Sequence, residues 1–233
     1  MTWLTHLQTV SSTNDVVLDG LKVGEFFHGS VVLADEQTAG RGRRGKAWKT
    51  FSGDAGIAMT LLLTENLTEH TPLLVSLAVH DVLSAVGEGL GIKWPNDLLY
   101  NGSKVCGILV EAGVISGKPY QLVGCGMNLL GTEDVWQSLE SLTGFRFDRT
   151  QTVGRIRERI LKLLSEGWAA HKDRYIRGCI TIGEAVTWRQ VGIKDIQGTA
   201  KSLTDEGAII LEDESGASHT IHSGEIIKQG SVS

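Results

Sequence analysis

Apolar and polar positions along the 233-residue chain switch between a helical and a strand period several times. Ser11, Ser12, Thr13 and Asn14 are good helix N-cap residues, and Val16, Val17 and Leu21 follow them, which predicts a first helix. Residues 30–34 are a short apolar run and read as a buried strand, with a second such strand over residues 56–63. Between them, residues 37–53 are rich in Gly and basic residues and read as a long loop. Thr71-Pro72 predicts a helix start, with Thr71 at the N-cap and Pro72 at the first helical position. Leu74, Leu77, Ala78, Val82 and Ala85 then keep helical spacing. Past Gly91 the pattern becomes β, and residues 98–100 and 105–110 flank Asn101-Gly102, a strong hairpin signal. A second hairpin is expected across Ser116-Gly117-Lys118, leading into residues 121–130. Residues 153–175 read as one helix through Ile156, Ile160, Leu163, Leu164 and Trp168. From about Thr187 onward the chain breaks into short strands at 198–203, 207–212, 219–222 and 225–228. The pattern predicts an α+β domain with a mixed, largely antiparallel sheet over residues 1–186, and a small β barrel or sheet over 187–233.

Composition narrows the class. Apolar residues make up 41% and charged residues 21%, which fits a folded protein and excludes a disordered or collagen-like chain. The formal charge is −5, so the chain as a whole is not a general nucleic-acid binder. Cys106, Cys125 and Cys179 have no paired spacing, which excludes a disulfide framework and a CxxC zinc site and points to a reducing compartment. No apolar run approaches a membrane span, and residues 1–15 lack a secretory pattern, so a cytoplasmic protein with no membrane partner is expected.

Charge is distributed unevenly. Residues 37–53 hold five cations and no acid, although the net charge is negative. Such a Gly-rich basic loop offers backbone N–H groups and guanidinium forks to phosphate oxygens; a basic loop tip without a ligand fits the same composition. Residues 40–46 satisfy the first seven positions of the phosphate-binding pattern GxxxxGK, but Ala47 stands where a Ser or Thr must hold magnesium. The following residues are also a poor helix start, so that loop type is set aside. A nucleic-acid-binding module built on this loop is disfavoured for the same charge reasons.

Five blocks occur in one order: Ser12-Thr13-Asn14; Gln37 with the glycine run over 40–45; Lys93-Trp94-Pro95-Asn96-Asp97; residues 104–111; and Gly124-Cys125-Gly126-Met127-Asn128. Together they resemble the biotin protein ligases, also called biotin–acetyl-CoA-carboxylase ligases. The resemblance implies a class II synthetase-like catalytic domain with a small SH3-like barrel behind it. About ten residues precede the Ser-Thr-Asn block, so the chain is similar to the short class that lacks an N-terminal DNA-binding domain. It further implies ATP and biotin as substrates, Mg²⁺, and two steps. Biotinyl-5′-adenylate forms first, and a lysine of the biotin carboxyl carrier protein of acetyl-CoA carboxylase, or a similar carrier domain, then takes the biotinyl group. Members often dimerise through the sheet, and the resemblance leaves a homodimer open.

The resemblance also implies residue roles. Lys104 bridges the biotin carboxylate and the α-phosphate, and Arg41 supports both substrates; these two are the catalytic candidates. Ser12, Thr13 and Gln37 partner the ureido group, Gly107, Gly124 and Gly126 let the strands approach the biotin tail closely, and Gly40 is counted as biotin-binding on a loop that orders over the intermediate. Arg43, Arg44, Lys46 and Lys93 face the nucleotide, Trp48 stacks on the adenine and Asn128 reads its edge. Asn96 and Asp97 are hard oxygen donors suited to Mg²⁺. Read without the family, Ser12 and Thr13 are helix caps, and Asn96-Asp97 is a turn after Pro95. Lys46 stands where many members have Arg, and Cys106 where Ala is common. The nearest alternative is a lipoate or octanoate ligase, which needs no partners for a ureido group.

Other candidates read as structural. Cys106 and Cys125 lie in apolar strands as inert core thiols. His219 and His222 fall on opposite faces of a strand and make a poor metal pair. Trp3, Trp136, Trp168 and Trp188 read as packing, Glu111 as either structural or facing the site, and residues 131–150 carry no readable motif.

Overall fold

The computed structural model describes residues 2–48, 53–130, 132–133 and 136–228. The elements run in chain order β1 (Leu4–Val10), α1 (Thr13–Lys22), β2 (Val31–Gln37), β3 (Gly56–Leu63), α2 (Thr71–Leu83), β4 (Leu90–Lys93), β5 (Asp97–Tyr100), β6 (Ser103–Ile115) and β7 (Lys118–Asn128). Two short strands, β8 (Thr132–Glu133) and β9 (Trp136–Gln137), pair with each other. The helices α3 (Leu139–Thr143), α4 (Arg149–Glu166) and α5 (Lys172–Gly178) follow. The chain then forms β10 (Ala185–Gln190), β11 (Ile193–Leu203), β12 (Ile209–Glu212), β13 (Ser218–Ile221) and β14 (Glu225–Lys228).

The large sheet has the order β1-β2-β3-β7-β6-β5-β4. β1 and β2 pair in parallel, and every other neighbouring pair is antiparallel. β3 is an interior strand, and all eight of its residues are buried. Ile57, Met59, Leu61 and Leu63 face the main core with α2 and α4, while Leu62 faces the smaller core that also holds Val17 of α1. The C-terminal sheet, order β13-β12-β11-β10-β14, is antiparallel throughout. Its Val186, Leu211 and Ile226 belong to the same buried cluster as Leu61 and Ile160.

Both hairpins are where the dipeptides place them. Asn101 (φ 47°) and Gly102 (φ 87°) take the two left-handed positions of a tight turn, as do Ser116 (φ 51°) and Gly117 (φ 76°). Other expectations need correction. β1 has no clear period, with its seven residues half-buried or exposed, and the sequence pattern misses it. Thr71 is not the N-cap of α2; His70 is, and the Thr71 hydroxyl donates to the Thr68 carbonyl at 2.7 Å. The helix expected over residues 153–175 is two helices. It starts earlier, at Arg149, because the Asp148 side chain accepts from Gln151 N at 2.7 Å, and it stops at Gly167, whose φ of 81° closes α4. The segment without a motif contains α3, opened by a reciprocal capping box between Ser138 and Ser141. No helix among the described residues is long and apolar enough to cross a membrane.

Candidate active site

The site lies on the α1 side of the large sheet, under the edge of the C-terminal sheet. α1 begins at Thr13 with Ser12 as its N-cap, yet the Ser12 hydroxyl makes no cap hydrogen bond. Gln37, at the end of β2, does that work across the sheet: its Oε1 accepts from Thr13 N (2.9 Å) and from the Thr13 hydroxyl (3.1 Å). This leaves the Ser12 hydroxyl on the wall of a cavity of about 370 Å³, beside Thr13, Asn14 and Gln37. A second layer holds the group. The Thr60 hydroxyl on β3 donates to Asn14 Oδ1 and lies 2.8 Å from Thr13 Oγ1, and Asn14 Nδ2 donates to Glu111 Oε2 at 2.6 Å. Ser12, Thr13, Asn14 and Thr60 are all nearly fully buried. A polar cluster of this kind specifies geometry because unmade hydrogen bonds there are costly.

The floor is a cross-strand pair of glycines, Gly107 on β6 opposite Gly126 on β7. The Trp48 indole lies on them. A Cβ on Gly126 would sit 1.9 Å from Trp48 Nε1, and one on Gly107 would sit 2.8 Å from the same ring. No side chain could replace either glycine with Trp48 in this place. The indole N–H is buried and has no partner among the described residues. Lys104 Nζ stands 4.9 Å from the centre of the Trp48 ring, a cation–π contact.

Lys104 owes its place to a β-bulge. Leu98 opposes Cys106 and Leu99 opposes Lys104, so Val105 is the extra residue between them. Val105 enters the core, while Lys104 lines the cavity. Without the bulge, Lys104 would share the core face of Cys106 and Ile108. The Lys104 ammonium is 2.8 Å from Asp97 Oδ1.

The basic loop folds back on itself. Gly42 N donates to Lys46 O at 2.7 Å and Trp48 N to Gly40 O at 2.9 Å. Its side chains are anchored at both ends. Arg41 pairs with Asp15 of α1, and that guanidinium holds the Asp15 carboxyl below the usual carboxylate range. Arg43 donates to Asn96 Oδ1 at 2.7 Å, and burial lowers its pKa, helped by the neighbouring Arg44. Lys46 and Arg44 reach Glu225 of the C-terminal sheet at 2.9 and 3.8 Å, and Lys46 keeps the Glu225 carboxyl ionised below its ordinary range. Six cations (Arg41, Arg43, Arg44, Lys46, Lys93 and Lys104) line the cavity against the carboxylates of Asp97 and Glu225. The result is a pocket with a hydroxyl-and-amide end and an anion-binding end.

Comparison with known proteins decides the family. A model of the biotin/lipoate A/B protein ligase family matches residues 7–128, and one of the biotin protein ligase C-terminal domain matches residues 181–229. This chain belongs to the biotin protein ligase family. It is 31% identical to the biotin–[acetyl-CoA-carboxylase] ligase of Paracoccus denitrificans over 89% of this chain and 94% of that one. It is also 31% identical to the bifunctional ligase/repressor BirA of Bacillus subtilis over 81% of this chain, but spans only 63% of that relative's length. The biotin protein ligase of Aquifex aeolicus, solved in complex with biotin and ATP, superposes with a TM-score of 0.80 at 29% identity, covering 96% of this chain and 97% of that one.

Within the family framework, the structure gathers Ser12, Thr13, Gln37, Arg41, Arg43, Arg44, Lys46, Trp48, Lys93, Asn96, Asp97, Lys104, Gly107 and Gly124 around one cavity. Two expected residues do not line it. Gly40 lies where a Cβ would meet the Trp48 carbonyl oxygen at 2.5 Å, so its smallness serves the loop's own fold. Asn128 is buried at the end of β7, opposite Gly56. Asn96 and Asp97 do not fit a dedicated Mg²⁺ site: Oδ1 of Asn96 faces the Arg43 guanidinium, Nδ2 donates to Ile108 O, and Asp97 faces the Lys104 ammonium. Among the described residues, no group of three or more His, Cys, Asp and Glu side chains could hold a metal ion. His219 pairs with Asp213 at 2.7 Å. Burial pushes the Cys125 thiol up to about 12, and that of Cys106 well above the usual value. The Trp136 side chain lies outside the described residues. Sequence reasoning missed Asp15 and Glu225 as site builders, and gave Asn14 no role although its block was recognised; the partner each meets is far away in the chain, so no spacing marks these contacts.

Proposed function

We propose that the chain activates biotin with ATP to biotinyl-5′-adenylate, releasing pyrophosphate, and passes the biotinyl group to a lysine of a carrier domain. The observation that carries this is the two-ended cavity. Hydroxyls and amides of Ser12, Thr13 and Gln37 stand at one end, where an apolar ligand with a ureido group needs them. A cluster of cations stands at the other end, where a carboxylate and phosphates must be brought together against their repulsion.

In this reading Lys104, held on a strand and oriented by Asp97, neutralises the carboxylate and the α-phosphate as they approach. Arg43, Arg44 and Lys46 bind the remaining phosphates from the loop, and Lys93 from the end of β4. Trp48 leaves the glycine floor when the acyl chain arrives and covers the adenine. The closed loop then keeps water from the mixed anhydride until the carrier amine attacks its carbonyl, with AMP as leaving group. Among the described residues no side-chain cage for Mg²⁺ is present, so any Mg²⁺ would be held by the nucleotide's own phosphates.

The test is pyrophosphate release from purified protein with ATP, with and without biotin, followed by transfer to a biotin carboxyl carrier domain. Biotin-dependent release and carrier biotinylation are expected. Release driven by lipoate or octanoate and not by biotin would replace this reading with the lipoyl-type one.

A further inference from the structure

The loop's hydrogen bonds at Gly40 and Gly42 and the Arg41–Ala47 bridge fix the backbone of Arg41 but leave the four torsions of its side chain free. Its orientation comes from elsewhere. Asp15, in the first turn of α1, accepts from Nη1 of Arg41 at 2.9 Å with one oxygen and from Nη2 at 2.6 Å with the other. Two parallel hydrogen bonds between a planar fork and a carboxylate fix direction as well as distance. Glu111 of β6 lies 3.7 Å from the same guanidinium and is itself held by Asn14. Arg41 is therefore bracketed by two carboxylates, next to the residues of α1 that form the polar end of the cavity. The other side-chain anchors of the loop, Arg43 on Asn96 and Lys46 on Glu225, serve its opposite end.

We infer that Asp15 is a positioning residue: it seats Arg41, and with it the start of the basic loop, against the biotin end of the cavity. The inference rests on the biotin-activating reading above and names a residue that the sequence blocks leave out. The pair is well suited to this task and poorly suited to stabilising the fold. Both side chains are 40% exposed, and ion pairs at such positions add little to stability. What the pair does supply is order. A four-torsion side chain, once released, must be re-ordered in every binding event, and that cost falls on the ligand it meets.

The experiment compares the wild-type chain with Asp15→Asn and Asp15→Glu by steady-state pyrophosphate release, biotin titration calorimetry and thermal unfolding. Asp15→Asn is expected to raise the KM and Kd for biotin about tenfold, with a smaller rise in the KM for ATP and an unchanged melting temperature. Asp15→Glu, which keeps a carboxylate within reach of the guanidinium, is expected to recover most of that loss. A biotin KM in Asp15→Asn equal to or below that of wild type overturns the inference, as does an equal rise in the KM for ATP or a lowered melting temperature with unaltered KM. Wild-type chain that releases no pyrophosphate with biotin would sink the proposed activity itself, and this role with it. Normal wild-type release beside an unaltered Asp15→Asn removes only the role of Asp15.

Discussion

At the residue scale, the site turns on where one ammonium group is held. Lys104 is placed by the bulge at Val105, oriented by Asp97, and faces the Trp48 ring. A preorganised cation at the point where charge gathers is worth far more than a mobile one, because it needs no reorganisation during the reaction. Lys104→Ala is expected to lower the rate of biotin-dependent pyrophosphate release by about 10²- to 10³-fold, the usual cost of removing one such contact. A single-turnover assay checks this, and a rate within a few fold of wild type would remove Lys104 from the chemistry. Trp48 belongs to the same scale. Its N–H on the glycine floor has no partner among the described residues, an unfavourable resting position that lowers the cost of moving the indole aside.

At the element scale, the basic loop is a small closed unit tied to α1 by Arg41–Asp15 and to β14 by Lys46–Glu225. Both carboxyls are held below their ordinary values by these cations. The sign follows directly. A depressed carboxyl contributes its anchoring in full above its unfolded value and loses it as the pH falls through the folded one. Loop anchoring should therefore be complete at neutral pH and weaken below about pH 4, the ordinary carboxylate range. Amide protection at Gly42 and Trp48, corrected for intrinsic exchange, should fall over that acid window before the core strands open. Protection independent of pH down to global unfolding would show that the ion pairs do not hold the loop.

At the scale of the whole molecule, the two sheets share one buried cluster and a polar seam. Trp94 Nε1 donates to Gly207 O at 3.0 Å, Trp168 Nε1 donates to Asp205 O at 2.8 Å, and Leu73 packs against Gly207. This seam holds Glu225 over the loop and the Gly224–Ile226 edge on the cavity wall. Trp94→Phe deletes the first hydrogen bond and leaves a buried carbonyl unpaired, at a cost of about 1–3 kcal/mol. Calorimetry should show one cooperative transition at a lower temperature. Two separated transitions would mean that the sheets unfold independently and that the seam does not couple them.

The order of the five blocks, the hairpin dipeptides and the period-2 runs by themselves determined the family, the strand-rich architecture and most of the cavity lining. These features are local: a turn that needs positive φ, a buried strand and a Gly-rich basic loop each impose a composition that can be read in place. Three things were decided by tertiary structure. The first is the cap of α1: Gln37, not Ser12, satisfies its first turn, which turns Ser12 from a helix cap into a cavity donor. The second is the bulge that brings Lys104 out of the core face, since a register shift depends on the partner strand. The third is the set of carboxylates, Asp15, Asp97 and Glu225, that hold the cations. An ion pair between residues as far apart as Lys46 and Glu225 leaves no period or spacing in the chain, because only the folded backbone brings the two charges within reach.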